Sequence, residues 1–417
     1  MKSRKFVLVG TVVLSALLVL PVISGCAPKA APPPKEKAVT YLSLSDYTGP
    51  IAGLMVPAQA GCEDYIKDLN AKGGIAGIKI NFIGVDTRYD MGRGISAYKR
   101  YRTEPNLFVM NSCSTAITKA LAPLTEADKV LQCTPADGEF QAHIGWVFTW
   151  GVTYQNGFGA VIDWILKDWK AKGKAGMPTL AYMDVDTPSG REPLRGGKEY
   201  AQKVGIRLLD PEFFPIGCLD HSAYLQRISK AGADYCFIGV LDPLCTNVLR
   251  DAYKVGLTKT IQFICTFWGP DEAVGIKLHP DATEGTVICT FFLRGAEANA
   301  HPLASALAQK YRGQKLSEFG SVYTVGLAWT LVFEEALGRA VEGVGYSNLN
   351  GQAVLRAYES LTGVDVTKGI QGPCTYSATS RQGSDTVRFY QVKGSKLTPI
   401  SGWIKAPDCV SLHDWSK

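Results

Sequence analysis

The sequence predicts an α/β chain made of two doubly wound halves. Runs with strand character alternate with helix-period segments from residue 39 onward, and the same rhythm restarts after Gly151. Such alternation reads as βαβ units on a parallel sheet. The chain has 417 residues, 46% of them hydrophobic. That exceeds one ordinary domain and suffices for two packed cores.

The first half opens with the β-like run 39–45, which ends in the turn signal Asp46-Tyr47-Thr48-Gly49-Pro50. A helix follows, with Cys62, Ile66 and Leu69 on one face. Lys72-Gly73-Gly74 stops it. Ile78, Ile80 and Phe82 line one face of the next strand. Helix 91–103, strand 107–110, helix 114–127 and strand 130–134 complete this half. In the second half, Phe158, Ile162, Ile165 and Trp169 mark a helix face, followed by strand 179–183 and helix 191–204. Strand 234–240 leads into a helix carrying Leu244, Val248 and Val255. Strands 261–266 and 286–292 precede helices near 301–312 and 322–341 and a Gly-rich break at 342–349. After Gly369 come short β-like runs, 386–392 and 399–404, suited to rejoin an earlier sheet.

Residues 1–25 read as an address. Lys2, Arg4 and Lys5 precede the apolar run 6–23, and small Ser24 and Gly25 follow. This is the layout of a secretory signal. A retained membrane-spanning helix competes, since the run is just long enough; the small residues and cysteine at its end favour the signal. Ile23-Ser24-Gly25-Cys26 resembles the bacterial lipobox, which implies that Cys26 is acylated and anchors the chain to a membrane without spanning it. Residues 26–38 then form a tether, with four prolines and four charges in 27–38. Loss of residues 1–25 removes three positive charges and no negative ones, taking the formal net charge from +6 to +3. With no dense Lys/Arg stripe, nucleic acid is not expected as a partner.

Enzyme motifs are lacking. There is no GxxxxGK[ST], no GxGxxG after the first strand and no GxSxG. His143, His221, His279, His301 and His413 show no metal-ligand spacing and read as surface or turn residues. Neither a metal nor a cofactor is expected. Ten cysteines remain besides Cys26, with no CxxC pair. Cys236, Cys265 and Cys289 lie in apolar runs and read as buried thiols. Cys113 with Cys133, or Cys374 with Cys409, is a pairing that spacing leaves open.

Four segments resemble the type I periplasmic binding proteins, in their leucine/isoleucine/valine-binding branch. They are 44–50 (LSDYTGP), 68–77 (DLNAKGGIAG), 111–115 (NSCST) and 134–138 (TPADG). Weaker echoes are 187–191 (TPSGR) and 239–243 (GVLDP). The resemblance implies two Rossmann-like lobes joined by three crossovers. The first lobe would comprise 39–151 and 287–369, the second 152–286 and 370–417. It further implies the extracytoplasmic substrate-binding component of an ABC importer, a monomer that passes a small solute to permease and ATPase subunits and is held to the cell envelope by lipid. A ligand-sensing receptor of the same fold is the alternative. The lipobox and tether favour transport.

The matched turns lie at strand carboxyl ends, where open α/β sheets bind ligands. A helix starting near Ser114 would point its N–H groups and dipole at an anion. Ser114 and Thr115 would add hydroxyls, and Ala136 and Gly138 would let backbone approach the ligand. Simple helix capping by Ser114 and Thr115 competes with this clamp and can coexist with it. The resemblance also places Leu54, Ser189, Leu241, Phe267 and Trp268 at the ligand. Family amino-acid binders carry tyrosines near 189 and 241 and an acid near 267–268. Ser189, Leu241, Phe267 and Trp268 stand there instead. Because burying an unpaired ammonium is costly, this shifts the expected ligand toward an apolar or aromatic carboxylate or an amide, unless Asp242 or Asp271 supplies the charge. Trp146, Trp150 and Tyr154 add aromatic surface at the first crossover.

Overall fold

The computed structural model describes residues 36–135 and 137–416. The leader, Cys26, the tether up to residue 35 and Ala136 lie outside the described residues.

The chain first builds β1 (Ala38–Ser45), α1 (Ala52–Ala71), β2 (Lys79–Asp86), α2 (Met91–Tyr101), β3 (Leu107–Ser112), α3 (Thr115–Asp128), β4 (Leu131–Thr134), α4 (Glu139–Ala142) and β5 (Val147–Thr149). These strands form a parallel sheet in the order β2-β1-β3-β4-β5. Seven of the eight residues of β1 are buried, which is why its sequence is nearly continuous in apolar and small residues rather than alternating. The second lobe follows with α5 (Tyr154–Ala171), β6 (Thr179–Val185), α6 (Pro188–Arg191), α7 (Leu194–Val204), β7 (Arg207–Leu208), β8 (Glu212–Phe214), α8 (Ser222–Lys230) and β9 (Tyr235–Ile238). It continues with α9 (Leu244–Lys254), β10 (Gln262–Cys265), α10 (Gly275–Leu278), α11 (Pro280–Thr283) and β11 (Val287–Thr290). The chain then returns to the first lobe as α12 (Gly295–Ala300), α13 (Pro302–Arg312), α14 (Leu316–Phe319), α15 (Tyr323–Val344) and α16 (Gly351–Glu359). It ends in the second lobe with β12 (Thr386–Lys393), β13 (Lys396–Pro399) and β14 (Ile404–Lys405). The second sheet runs β13-β12-β11-β10-β9-β6-β7, with β8 on β6 and β14 on β12.

Helix ends follow local chemistry. Asp90 caps α2 by accepting the Arg93 amide at 2.7 Å, and Lys99 and Arg100 sit at its carboxyl end. Lys129 in the left-handed region closes α3. Helix α15 is apolar on nearly all sides and buried. It crosses α1 closely enough that a Cβ on Gly61 or on Gly326 would strike the partner helix backbone. Glycine at both positions is what lets the two helices touch.

Three chain crossings join the lobes, near 150–153, 291–294 and 382–385, and they touch one another. Gly151 packs on Phe291, Leu293 N donates to the Ile370 carbonyl at 2.9 Å, and Gly383 N donates to the Gly151 carbonyl at 3.1 Å. Arg294, fully buried at the second crossing, ties the set together. Its guanidinium donates to the carbonyls of Phe267, Gly269 and Pro270, to Ser321 Oγ at 3.0 Å and to Asp271 Oδ2 at 3.2 Å.

Several expectations change. Strand β11 pairs with β10 and β12 of the second sheet, so the return to the first lobe follows Thr290 rather than beginning at 287. The segment after 370 stays on the first lobe longer, because Tyr376 OH donates to the Thr149 carbonyl at 2.6 Å and Thr149 N donates to the Arg381 carbonyl at 2.8 Å. The run 399–404 is not one strand; β13 ends where it starts and β14 begins where it stops. His221 is not a surface residue but is buried, with Nδ1 2.9 Å from Asp251 Oδ2. The ten described cysteines are free thiols, including Cys113, Cys133, Cys374 and Cys409. Among the described residues no helix is long and apolar enough to cross a membrane.

Replacing Arg294 by Met leaves Asp271 buried without its charge partner. The expected loss is about 3–5 kcal/mol of unfolding free energy, measured by chemical denaturation. A loss below about 1 kcal/mol contradicts the role assigned to this pair.

Candidate functional site

Strand β3 ends at Ser112, and the turn Cys113-Ser114 opens α3. Ser114 has extended backbone, and its Oγ accepts the Ile117 amide at a long 3.4 Å. The amides of Thr115 and Ala116 have no intrahelical acceptor. Ser114 and Thr115 are each 2% exposed, so this positive helix end lies in a buried environment where a dipole counts most. Burial, and then the neighbouring Asp46 charge, push the Cys113 thiol up to about 12, so it stays neutral.

The second lobe approaches from the opposite side. Helix α3 packs against α6, which carries Ser189. Tyr89, in the loop after β2, is the bridging side chain. Burial raises its phenol to about 12, the neighbouring Cys113 and Asp184 add to that, and the Ser189 hydroxyl opposes it. Arg88 and Tyr89 both have positive φ, 52° and 58°. Two consecutive non-glycine residues in that region mark local strain of the kind found at functional sites. The start of α1, with buried Leu54, also reaches the second lobe: a Cβ on Gly53 would lie 3.4 Å from Val274.

An aromatic floor runs along the hinge side. Tyr154 stacks on Phe267 with centroids 5.9 Å apart, and its hydroxyl accepts the Trp268 indole N–H at 3.2 Å. Phe291 packs edge-on against both Phe267 and Trp268. Trp150 joins Trp268 to Trp329 of α15, the latter pair 3.9 Å apart. A Cβ on Gly157 would collide with Phe267. Leu241 is buried beside this floor, and its neighbour Asp242 donates its amide to the Trp268 carbonyl at 2.9 Å. Trp146 lies apart, at the start of β5 under Lys129.

Charged groups from both lobes meet beside the floor. Lys119 of α3 lies 2.5 Å from Glu192 of the second lobe, 2.8 Å from Glu139 and 3.5 Å from Asp137. Arg195 of α7 returns the pairing, 2.9 Å from Glu139 and 3.3 Å from Glu192. Burial alone would lower the Lys119 pKa, but the charges of Asp137 and Glu192 outweigh it and hold the ammonium. Glu139 is held below the usual carboxylate range because Lys119 and Arg195 overcome its own burial. Asp137 goes the other way, raised by burial and then by Glu192. The oxygens of Asp137, Glu139 and Glu192 lie within 4.8 Å of one another, a spacing that would suit a cation. Lys119 already stands among them and serves as that cation.

Neither acid proposed as an ammonium partner is free for that task. Asp242 accepts from Thr246 Oγ1, Asp271 N and Gly275 N, and Asp271 is held by Arg294, Ser321 and Ala273 N. Gly138 N-caps α4 and receives the Gln155 amide of α5 against its Cα. Ala136 is outside the described residues. Sequence reading missed Tyr89, Lys119, Asp137, Gln155, Asp184 and Glu192. The flagged turns 134–138 and 187–191 and the flagged Tyr154 adjoin Asp137, Glu192 and Gln155, but none of those three was itself given a role. An open groove of about 660 Å³ between α1 and β2 is lined by first-lobe residues alone.

The family described as periplasmic binding protein matches residues 43–396. The Leu/Ile/Val/Thr-binding protein of Salmonella typhimurium is 24% identical over 242 residues, 57% of this chain and 62% of that one. The chain thus spans somewhat under two thirds of such relatives. A solved branched-chain amino acid ABC transporter structure from Thermus thermophilus, with bound valine, superposes with a TM-score of 0.78 at 21% identity, covering 90% of this chain and 98% of the other. A solute-binding protein from R. palustris in complex with 4-hydroxybenzoate superposes with a TM-score of 0.74 at 16% identity, covering 89% and 98%. At such identities the likeness is one of fold.

Burial sets a pH signature at Asp184, at the end of β6. It raises this carboxyl to about 7, against the Val185 amide and the Tyr182 hydroxyl. A folded pKa above the unfolded value means the native state keeps a proton that the unfolded state releases. Stability therefore falls as pH rises from about 4 to about 7 and levels above that. Asp184→Asn removes this dependence. The variant should gain on the wild type by about 4 kcal/mol across that window in urea titrations at stepped pH. A constant difference contradicts the assignment.

Proposed function

The chain belongs to the periplasmic binding protein family, and from that premise we propose that it is the extracytoplasmic solute-binding component of an ABC importer, taking a small carboxylate with an apolar or aromatic body. One observation carries the ligand class: the amino end of α3, at Ser114 and Thr115, is buried, and Phe267 and Trp268, packed with Tyr154, stand where family amino-acid binders carry an acid. An anion suits the helix end. Flat or branched apolar bodies suit the wall. Leu54, Gly138, Ser189 and Leu241 complete the lining in this reading, with Ala136 beside Asp137.

The working cycle is hinge closure. A ligand that touches both lobes favours the closed form by its differential affinity. The pairs Lys119–Glu192 and Glu139–Arg195 join residues of different lobes, so they form on closure and add to it. The importer's membrane subunits then read the closed shape. No bond is made or broken, and no residue is assigned to catalysis. Acylation of Cys26 and the tether 26–38 would hold the protein, as a monomer, beside that importer.

Thr115→Pro tests the clamp. Proline is tolerated at the first helical position, and Ser114 already has the extended backbone that a residue before proline needs. The substitution deletes one amide facing the ligand and leaves the helix. Carboxylate affinity should fall about tenfold by calorimetry, while the matching methyl ester loses nothing. In the wild type, a bound carboxylate at a hundredfold excess over its Kd should stabilise the fold by about 2.7 kcal/mol. Esters that bind as tightly as their acids contradict the proposal.

A further inference from the structure

After β14 the chain runs on as a strap, 406–416, whose one regular element is a 3-10 turn at Val410–Leu412. The strap follows the stretch that matches the family, which stops at residue 396. Two glycines of the second lobe make its seat. A Cβ on Gly159 of α5 would strike Cys409 Sγ and Pro407, and a Cβ on Gly196 would strike the Cys409 carbonyl. Gly196 has φ 95°, and the break in α7 at Arg195 and Gly196 lets the strap sit that close. Cys409 is fully buried there. Asn156 of α5 holds the turn: its Oδ1 accepts the amides of Cys409 at 2.8 Å and Val410 at 3.2 Å. Its Nδ2 donates to Gln382 Oε1 at 3.0 Å, and that same oxygen accepts the Thr153 amide at 3.2 Å. One buried side-chain amide thus bonds the strap to the first and third crossings of the hinge.

The far end of the strap reaches the first lobe. The turn Val410–Leu412 packs against α4, and the Trp415 ring meets the ring of His143, just past α4, edge-on with centroids 6.3 Å apart. Trp415 donates its indole N–H back to the Val410 carbonyl at 2.8 Å, which fixes the ring. Its face covers the Arg195 guanidinium, 4.2 Å from the ring centre. His413 completes the grip. Its ring packs edge-on against Trp415 at 4.8 Å, its Nδ1 lies 2.7 Å from Glu199 Oε1, and its Nε2 accepts from Arg195 Nε at 3.4 Å. The guanidinium held in this way lies 2.9 Å from Glu139 of α4 and 3.3 Å from Glu192. Arg195 and Glu139 belong to different lobes. A planar guanidinium already stacked on an aromatic face loses little freedom when it pairs with a carboxylate.

We propose that the strap is a closing device for the cleft, and that Trp415 is a positioning residue that acts through Arg195. Stacked on Trp415, the guanidinium is set in advance for Glu139, while the strap itself leans on α4 and His143. Both contacts hold the lobes together and slow release of the bound solute. This rests on the hinge-closure reading above and adds to it the part that sets how long the lobes stay shut.

The test is stopped-flow capture and release by the ligand-stripped chain, with valine and 4-hydroxybenzoate as probes. In Trp415→Ala, capture should stay within about twofold of wild type while release quickens about fivefold. Trp415→Phe, which keeps an aromatic face over Arg195, should bring release back to within about twofold of wild type. Arg195→Lys keeps the charge but not the stacking plane, and should quicken release by a similar factor. It gives the same reading where Trp415→Ala does not fold. The double variant should release no faster than the faster single one, since both remove one coupled contact. Lost unfolding stability with release unchanged is the mark of a merely structural tail, and overturns the proposal. Multiplied effects in the double variant also overturn it, because they part Trp415 from Arg195. Should neither probe bind, the same constants are read with the solute that mass spectrometry identifies in natively purified protein. If no solute is found and no probe binds, it is the cleft reading that fails, and the strap's role falls with it.

Discussion

The chain crosses between its two sheets three times, and the three crossings lie against one another. That constraint governs the rest. Gly151, Phe291, Leu293, Ile370 and Gly383 form a compact hinge, and Arg294 locks it by spanning carbonyls that follow β10 and the Ser321 turn before α15. With the crossings bonded side by side, sliding and twisting of the lobes are resisted. Each lobe then presents the carboxyl ends of its strands to the same gap, so residues far apart in sequence are delivered to one place.

Charged groups from both lobes meet at that gap. The amino end of α3 supplies fixed positive character at its buried floor, and the reciprocal pairs Lys119–Glu192 and Arg195–Glu139 close its side. Neither pair is exposed enough to be screened like an ordinary surface bridge. Between them Asp137 stays short of a donor, and Asp242 and Asp271, the acids that seemed nearest to the lost ammonium partner, are consumed by backbone amides, Thr246 and Arg294. In the aromatic floor the Trp268 N–H is spent on Tyr154, while the buried indole N–H groups of Trp150 and Trp329 have no partner.

Much of the fold was legible because its signals are local. The stop at Lys72-Gly73-Gly74 is realised with positive φ at both glycines, 108° and 84°. The alternating runs became the expected strands, and Ser114 caps α3 as its residue type predicts. What failed was non-local. Strand β11 reads alike in either sheet, and only its pairing with antiparallel β12 decides its lobe. Three-residue β5 is too short to carry a period. Ser114 and Gly138 were named from turns that match the family's pattern, Phe267 and Trp268 only as departures from it at aligned positions. Tyr89 could not be named, since no residue type announces a left-handed Tyr. Lys119 and Glu192 are 73 positions apart, and their meeting exists only once both lobes are folded.

Small-angle X-ray scattering of the ligand-stripped chain, titrated with whichever carboxylate most raises its melting temperature, tests hinge closure on a ligand most directly. The account predicts a radius of gyration that falls and saturates in step with binding. A radius that stays constant while the ligand binds would contradict it.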